Sequence, residues 1–199
     1  MGEHTISITH VTPDMLLKAY SMGIFPMAEK NDGEIFWYSP EPRAIIPLDN
    51  FKVSRSLRQI LKKNIFEIRT DYSFEQVIRG CARREETWIS EEIIRSYSEL
   101  HHLGFAHTVE VWKNEKLAGG LYGVAVGAAF FGESMFSLEK NASKVALFYL
   151  IELLKKKQFE LLDTQYITPH LQHFGAIEIS KQEYLRKLAV AIAKKGVSF

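Results

Sequence analysis

The chain has 199 residues, 46% apolar and 25% charged, with a net charge of +1 and one cysteine, Cys81. That length buries a real core in one or two domains. The lone cysteine excludes a disulfide framework and a cysteine-rich metal centre, and near-neutrality excludes a surface coated in positive charge. Met1-Gly2-Glu3-His4 opens no basic-then-apolar leader, and no stretch has the length and apolarity to span a bilayer, so a cytoplasmic protein is expected.

Thr12-Pro13-Asp14 opens a first helix: Thr12 can cap, Pro13 suits the first turn, and Asp14 sits at the positive end of the dipole. Gly23 ends it. Ile24–Met27 leads to a polar turn around Asn31-Asp32-Gly33, and Glu34–Ser39 reads as a strand closed by Pro40-Glu41-Pro42. The paired prolines mark a junction, so a small N-terminal domain over residues 1–40 is expected to lean on a second domain over 41–199. There a short strand at Arg43–Pro47 precedes a helix capped by Ser54 and running to about Lys63. Ile65–Arg69 is a strand, Ser73–Arg83 a helix with Phe74, Val77, Ile78 and Cys81 on one face, and Ser90 opens another helix that stops before Gly104. Ala106–Trp112 and Lys116–Val126 flank Lys113-Asn114-Glu115 as a hairpin, and Ala128–Phe136 continues the antiparallel run. A long helix over Asn141–Lys156, a strand at Glu160–Gln165, a short helix at Thr168–Phe174, an extended Gly175–Glu178 and a last amphipathic helix at Ser180–Lys194 complete the chain. Strands that first meander and then cross through a helix predict an α+β fold.

Charge is unevenly spread. Arg55, Arg58, Lys62 and Lys63 share one helical window, while acids crowd Glu85–Glu92. A small positive patch on a neutral protein suits a selective nucleic-acid contact, or is simply a solvated helix face. Glu133 is the single acid in the aromatic run Phe130-Phe131-Gly132-Glu133-Ser134-Met135-Phe136-Ser137. A carboxylate there is either a satisfied structural acid or one that meets a positive partner. Asp163 and Gln165, two apart on a strand, project to the same face.

The chain resembles the bacterial leucyl/phenylalanyl-tRNA–protein transferases. The resemblance lies in Gly23-Ile24-Phe25-Pro26, Trp37-Tyr38-Ser39-Pro40-Glu41-Pro42-Arg43, Thr87-Trp88-Ile89, His107-Thr108-Val109-Glu110-Val111-Trp112, Gly119-Gly120-Leu121-Tyr122-Gly123-Val124, Gly132-Glu133-Ser134-Met135-Phe136-Ser137, Asn141-Ala142-Ser143-Lys144 and Asp163-Thr164-Gln165. These segments occur in family order over residues 12–188. The resemblance implies a small N-terminal domain packed on a domain of the GCN5-related N-acetyltransferase (GNAT) fold with a mostly antiparallel mixed sheet. It implies transfer of Leu or Phe from aminoacyl-tRNA to the N-terminal amine of a protein beginning with Arg or Lys, which marks the product for N-degron proteolysis. No cofactor and no metal enter such a reaction, and a monomer is expected.

The donor ester is already activated, and the acceptor is an amine of pKa about 7.7–8.0. An enzyme must hold the two in attack geometry, relieve the amine of a proton and steady the oxyanion. Gln165 suits the amine or carbonyl and Asp163 the proton, directly or through a neighbour; the ribose hydroxyl beside the ester is the other candidate. Glu133 suits the acceptor's basic side chain, because a cation offsets its desolvation. By match to family positions, Leu121, Phe130, Met135, Leu147 and Leu150, with Trp88 nearby, line the donor pocket, and Arg55, Arg58, Lys62 and Lys63 face the tRNA. The chain departs from the family at Met27, where Trp is usual, and at Leu150, where the family has an aromatic residue.

Two other readings compete. An acyl-coenzyme A transferase of the same fold needs a Gly-rich, basic loop ahead of the helix, and Glu139-Lys140-Asn141-Ala142-Ser143-Lys144 holds no glycine. A noncatalytic RNA-binding module explains the basic helix but leaves Glu133, Asp163 and Gln165 without a role. A hydrolase built on Ser134 lacks the closing glycine of a nucleophile elbow, and no histidine spacing recommends a metal site.

Overall fold

The computed structural model describes residues 11–29, 34–84 and 87–199. The turn expected around Asn31-Asp32-Gly33 and the acids Glu85 and Glu86 lie outside the described residues. Helix α1 (Pro13–Ser21) starts as its sequence dictates, with the Thr12 hydroxyl accepting from the Met15 amide. Strands β1 (Phe25–Ala28) and β2 (Ile35–Tyr38) form a two-stranded antiparallel sheet.

The main sheet has seven strands. In chain order they are β3 (Arg43–Ile45), β4 (Glu67–Thr70), β5 (Ala106–Lys113), β6 (Lys116–Val126), β7 (Ala129–Ser137), β8 (Leu161–Gln165) and β9 (Ile177–Ile179). Their spatial order is β4-β5-β6-β7-β8-β3-β9. Every neighbouring pair is antiparallel except β7 and β8, which run parallel and are joined through helix α5 (Ala142–Lys156). This is the α+β fold with a mixed sheet expected from the order of elements. Strand β3, expected as a short strand at Arg43–Pro47, spans Arg43–Ile45 and is the inner strand that bridges β8 and β9.

The remaining helices are α2 (Arg55–Lys63), α3 (Phe74–Ala82), α4 (Glu91–His102), the short α6 (Pro169–Gln172) and α7 (Lys181–Ala193). Ser54, Ser90, Thr168 and Ser180 cap α2, α4, α6 and α7 through their hydroxyls, as short polar side chains do at helix starts. One face of the sheet packs α1, α3 and α4 around Tyr20, Val77, Tyr97, Tyr122 and Phe131. The other packs α5 and α2 around Leu121, Phe130, Leu147, Leu150 and Leu162. Cys81 is fully buried in the first layer, where burial pushes its thiol up to about 12. It is an inert core residue.

Two irregularities position the site. Across β6 and β7, Tyr122 pairs with Ser134 but Gly123 pairs with Gly132, so Glu133 is the extra, unpaired residue of a β-bulge. Gly123 is required opposite it: a Cβ there would lie 2.3 Å from the Phe131 carbonyl oxygen. The parallel pairing of β7 with β8 ends at Phe131 and Asp163, and a cavity lies beyond that point.

Candidate active site

Glu133 is 9% exposed and surrounded by donors. Its Oε1 accepts from the Tyr20 hydroxyl at 2.7 Å and from Gln165 Nε2 at 2.9 Å, while Oε2 has, among the described residues, only the Tyr97 hydroxyl at 3.4 Å. Tyr20 and Tyr97 are also hydrogen-bonded to each other. Burial, and then Glu133 itself, holds both phenols far above the ordinary tyrosine range, so both remain donors. Burial pushes the Glu133 carboxyl up to about 7, against the downward pull of Tyr20 and Gln165; the Asp163 charge adds to the rise and Arg43 opposes it.

Asp163 is fully buried and fully partnered. Arg43 donates to its Oδ1 from Nε at 3.0 Å and to its Oδ2 from Nη2 at 2.7 Å. The Tyr184 hydroxyl donates to Oδ2 at 2.7 Å, and the Gln165 amide to Oδ1 at 2.8 Å. Arg43 is 1% exposed, gives Nη1 to the Gly23 carbonyl, and lies 4.8 and 4.5 Å from the centroids of the Phe25 and Tyr184 rings, in cation–π range. Burial pulls its pKa down, but the Asp163 bonds outweigh that and leave it raised. One guanidinium therefore lies near two carboxyls and bonds only Asp163, and among the described residues Glu133 is the one left without a bonded cation.

The cavity beyond the β7–β8 pairing has a volume of about 280 Å³, at the low end of small-molecule sites. Leu121, Met135, Leu147, Leu150 and Trp88 line it, together with Glu133. Three polar atoms on residues of the same lining, the Tyr122 hydroxyl, Thr164 Oγ1 and His170 Nε2, are buried without a hydrogen-bond partner among the described residues. Such groups call for a partner supplied from outside the fold. Burial, followed by Lys144 and His173, lowers the His170 pKa, which favours the neutral ring near pH 7.

Some expected site residues lie elsewhere. Phe130 is not part of the cavity lining: it is fully buried against Phe159 and Phe199. It shares a core layer with Met135 only because the bulge intervenes, and it sits about 17 Å further down β7 at strand rise. Asp163 is not part of this cavity's lining: its side chain is fully buried against Arg43 and Tyr184. Gln165 is 7% exposed, adopts a left-handed backbone (φ 64°) at the end of β8, and touches both carboxylates. Met27 is half-buried on β1 against the core and outside the lining. Arg55, Arg58, Lys62 and Lys63 are all exposed on α2, which packs on α5. Sequence reasoning assigned no role to Arg43, Tyr20, Tyr97 or Tyr184. Arg43 alone carried a signal, as a family-matching arginine beside two prolines.

Known proteins resemble the chain over nearly all its length. A family model described as leucyl/phenylalanyl-tRNA protein transferase matches residues 45–189, and one for the N-terminal domain of the same transferases matches residues 10–41. The chain belongs to the leucyl/phenylalanyl-tRNA–protein transferase family. A leucyl/phenylalanyl-tRNA–protein transferase from Ruegeria sp. (strain TM1040) is 51% identical over 187 residues, covering 94% of this chain and 89% of the relative. The chain is thus an aminoacyltransferase, and the network of Arg43, Asp163 and Glu133 lies in a member of that family. Similar solved structures include the PaiA N-acetyltransferase of Thermoplasma acidophilum (16% identity, 47% of this chain and 74% of that one, TM-score 0.33). An aminoglycoside acetyltransferase from an uncultured soil metagenomic sample is another (12% identity, 68% and 94%, TM-score 0.42). Among the described residues no group of three or more His, Cys, Asp or Glu is placed to hold a metal, and no helix is long and apolar enough to cross a membrane.

Two stability tests follow from this network. Asp163→Ala leaves Arg43 buried and unpaired and should cost about 3–5 kcal/mol in urea denaturation. In an Arg43→Leu background the same change should cost at least about 1.5 kcal/mol less; equal costs would show that the pair is not coupled. Glu133 titrates at about 7 when folded, above its ordinary value near 4.5. The folded chain therefore binds this proton more tightly, and stability falls as pH rises between those values. Glu133→Gln removes that slope, so the stability difference should shift toward the variant by about 2.5 kcal/mol from pH ~5 to pH ~8. A difference independent of pH would refute the raised pKa.

Proposed function

We propose that the enzyme moves Leu or Phe from aminoacyl-tRNA to the N-terminal α-amine of cytoplasmic proteins that begin with Arg or Lys, marking them for N-degron degradation. The observation that carries this reading is the surplus charge on Glu133, a bulge residue at the cavity whose Oε2 holds one long hydrogen bond. A cationic side chain offsets the desolvation of that carboxylate, and a neutral one leaves it uncompensated.

The donor's Leu or Phe side chain occupies the apolar end of the cavity, between Leu121, Met135, Leu147 and Leu150. Met135 adapts to either shape. Thr164 Oγ1, His170 Nε2 and the Tyr122 hydroxyl supply the polar contacts that an aminoacyl ester brings into an apolar site. Gln165 orients the attack, holding Glu133 through its side chain while Asp163 fixes its backbone amide. Asp163 is accordingly a positioning residue. The attacking amine forms the new C–N bond as the bond to the ribose oxygen breaks, and the amine's surplus proton reaches the departing ribose oxygen directly or through its neighbouring hydroxyl, which gives up its own proton as it takes this one. Because the ester is activated, holding the reactants in attack geometry supplies most of the acceleration. The exposed α2 cations Arg55, Arg58, Lys62 and Lys63 meet phosphates of the tRNA body.

The test is transfer of labelled Leu from leucyl-tRNA to peptides that differ only in their first residue. Wild type should prefer Arg-starting over Ala-starting peptide. Glu133→Gln should lower kcat/KM for the Arg-starting peptide by at least about 30-fold, the 2 kcal/mol or more that a truncated buried charge pair costs, and change the Ala-starting peptide far less. Equal losses on both would show that Glu133 does not read the acceptor side chain.

A further inference from the structure

The cavity does not end at its own rim. Arg84, Met135 and His170 also line a neighbouring open groove of about 1140 Å³, which runs between the C-terminal half of α3, the β5–β6 hairpin and the start of α5. Its cationic residues are Arg79, Arg83, Arg84 and Lys116; Glu75, with Glu91, neutralises Arg79, and the groove's other acid, Glu115, pairs with Arg69 outside the groove. Arg83 and Lys116 are exposed and form no ion pair among the described residues. At its far side the groove shares Trp112 with a shallower depression lined by Asn114, Tyr149 and Asn64, the residue that ends α2. The groove thus lies between the candidate donor pocket, with which it shares Arg84, Met135 and His170, and the depression at the end of the basic helix, with which it shares Trp112.

We infer that this groove binds the single-stranded terminal nucleotides of the donor tRNA, with Arg83 and Lys116 each meeting a phosphate. The assignment rests on the proposed donor pocket and adds to it the route by which the RNA leaves. An aminoacyl group seated between Leu121 and Leu147 has its ribose toward the polar end, where His170 belongs to both spaces. The attached strand must go somewhere, and the groove that adjoins this end has surplus positive charge. Phosphate neutralisation by a lysine and an arginine is a salt-dependent, sequence-independent contribution to affinity, which suits a donor whose terminal nucleotides are the same whichever amino acid it carries.

The experiment compares three donors on one Arg-starting peptide: leucyl-adenosine, a leucylated terminal trinucleotide and leucyl-tRNA. For the Arg83→Ala/Lys116→Ala double variant, KM for the trinucleotide and for tRNA should rise about tenfold with kcat unchanged. The dependence of log KM on log salt should flatten by about 1.4, or about 0.7 for each single-strand phosphate that is no longer neutralised. Leucyl-adenosine, which has no internucleotide phosphate, should be used within about twofold of wild type. Arg55→Ala/Arg58→Ala should raise KM for tRNA but leave the trinucleotide alone. Both pairs are exposed, so an unchanged thermal midpoint separates these effects from misfolding. A trinucleotide KM unmoved by the Arg83/Lys116 variant, or an equal loss on leucyl-adenosine, overturns the groove assignment while leaving the transfer reaction standing. Wild type that uses none of the three donors overturns both.

Discussion

One buried guanidinium that lies near two buried carboxylates and bonds only one of them is the constraint on which the rest of this molecule depends. Arg43 neutralises Asp163 through paired hydrogen bonds, and among the described residues Glu133 is left with phenols and an amide but no cation in contact. The groups that satisfy the pair come from every quarter of the chain: Tyr20 from α1, Tyr97 from α4, Tyr184 from α7, Gln165 from β8 and Gly23 from the end of α1. Buried polar networks are costly when half satisfied. This one is complete around Asp163 and incomplete around Glu133, and that asymmetry is what a positively charged partner can use.

Geometry turns the asymmetry into a site. The bulge that makes Glu133 the unpaired residue sits where β7 and β8 cease to pair, so the carboxylate comes to the edge of a cavity rather than into a closed core. The apolar lining comes from β6, β7 and α5. An activated ester and an amine brought to the two ends of such a space need orientation more than chemistry. Rigidity follows from the same contacts: Asp163 fixes the backbone amide of Gln165, and Gln165 in turn holds the Glu133 carboxylate.

Much of the fold was legible because local chemistry was consistent with it. Thr12, Ser54, Ser90 and Ser180 mark helix starts by a short hydroxyl that the backbone then uses, and Lys113-Asn114-Glu115 marks a hairpin because its flanking strands are apolar. Of the cavity, Leu121, Met135, Leu147, Leu150 and Trp88 were legible by likeness to the family. What could not be read depends on long-range register. Nothing around Arg43 says that it will meet Asp163, 120 residues away, because β3 enters the sheet between two strands that come much later. Phe130 was misplaced because a run apolar on both faces hides a bulge, and the bulge changes which residues share a side. Asp163 and Gln165 do share a strand, yet the left-handed backbone at Gln165 separates their surroundings.

The most direct test is the titration of the Glu133 carboxyl by carbon NMR, with and without an Arg-starting peptide. Burial of this carboxyl, with the Asp163 charge adding to it, predicts a value near 7 in the free protein. Saturating peptide should move it down toward the ordinary carboxylate value of about 4.3, while an Ala-starting peptide leaves it where it was. A carboxyl that titrates in the ordinary range in the free protein, or one that the cationic peptide does not move, would contradict the account at its centre.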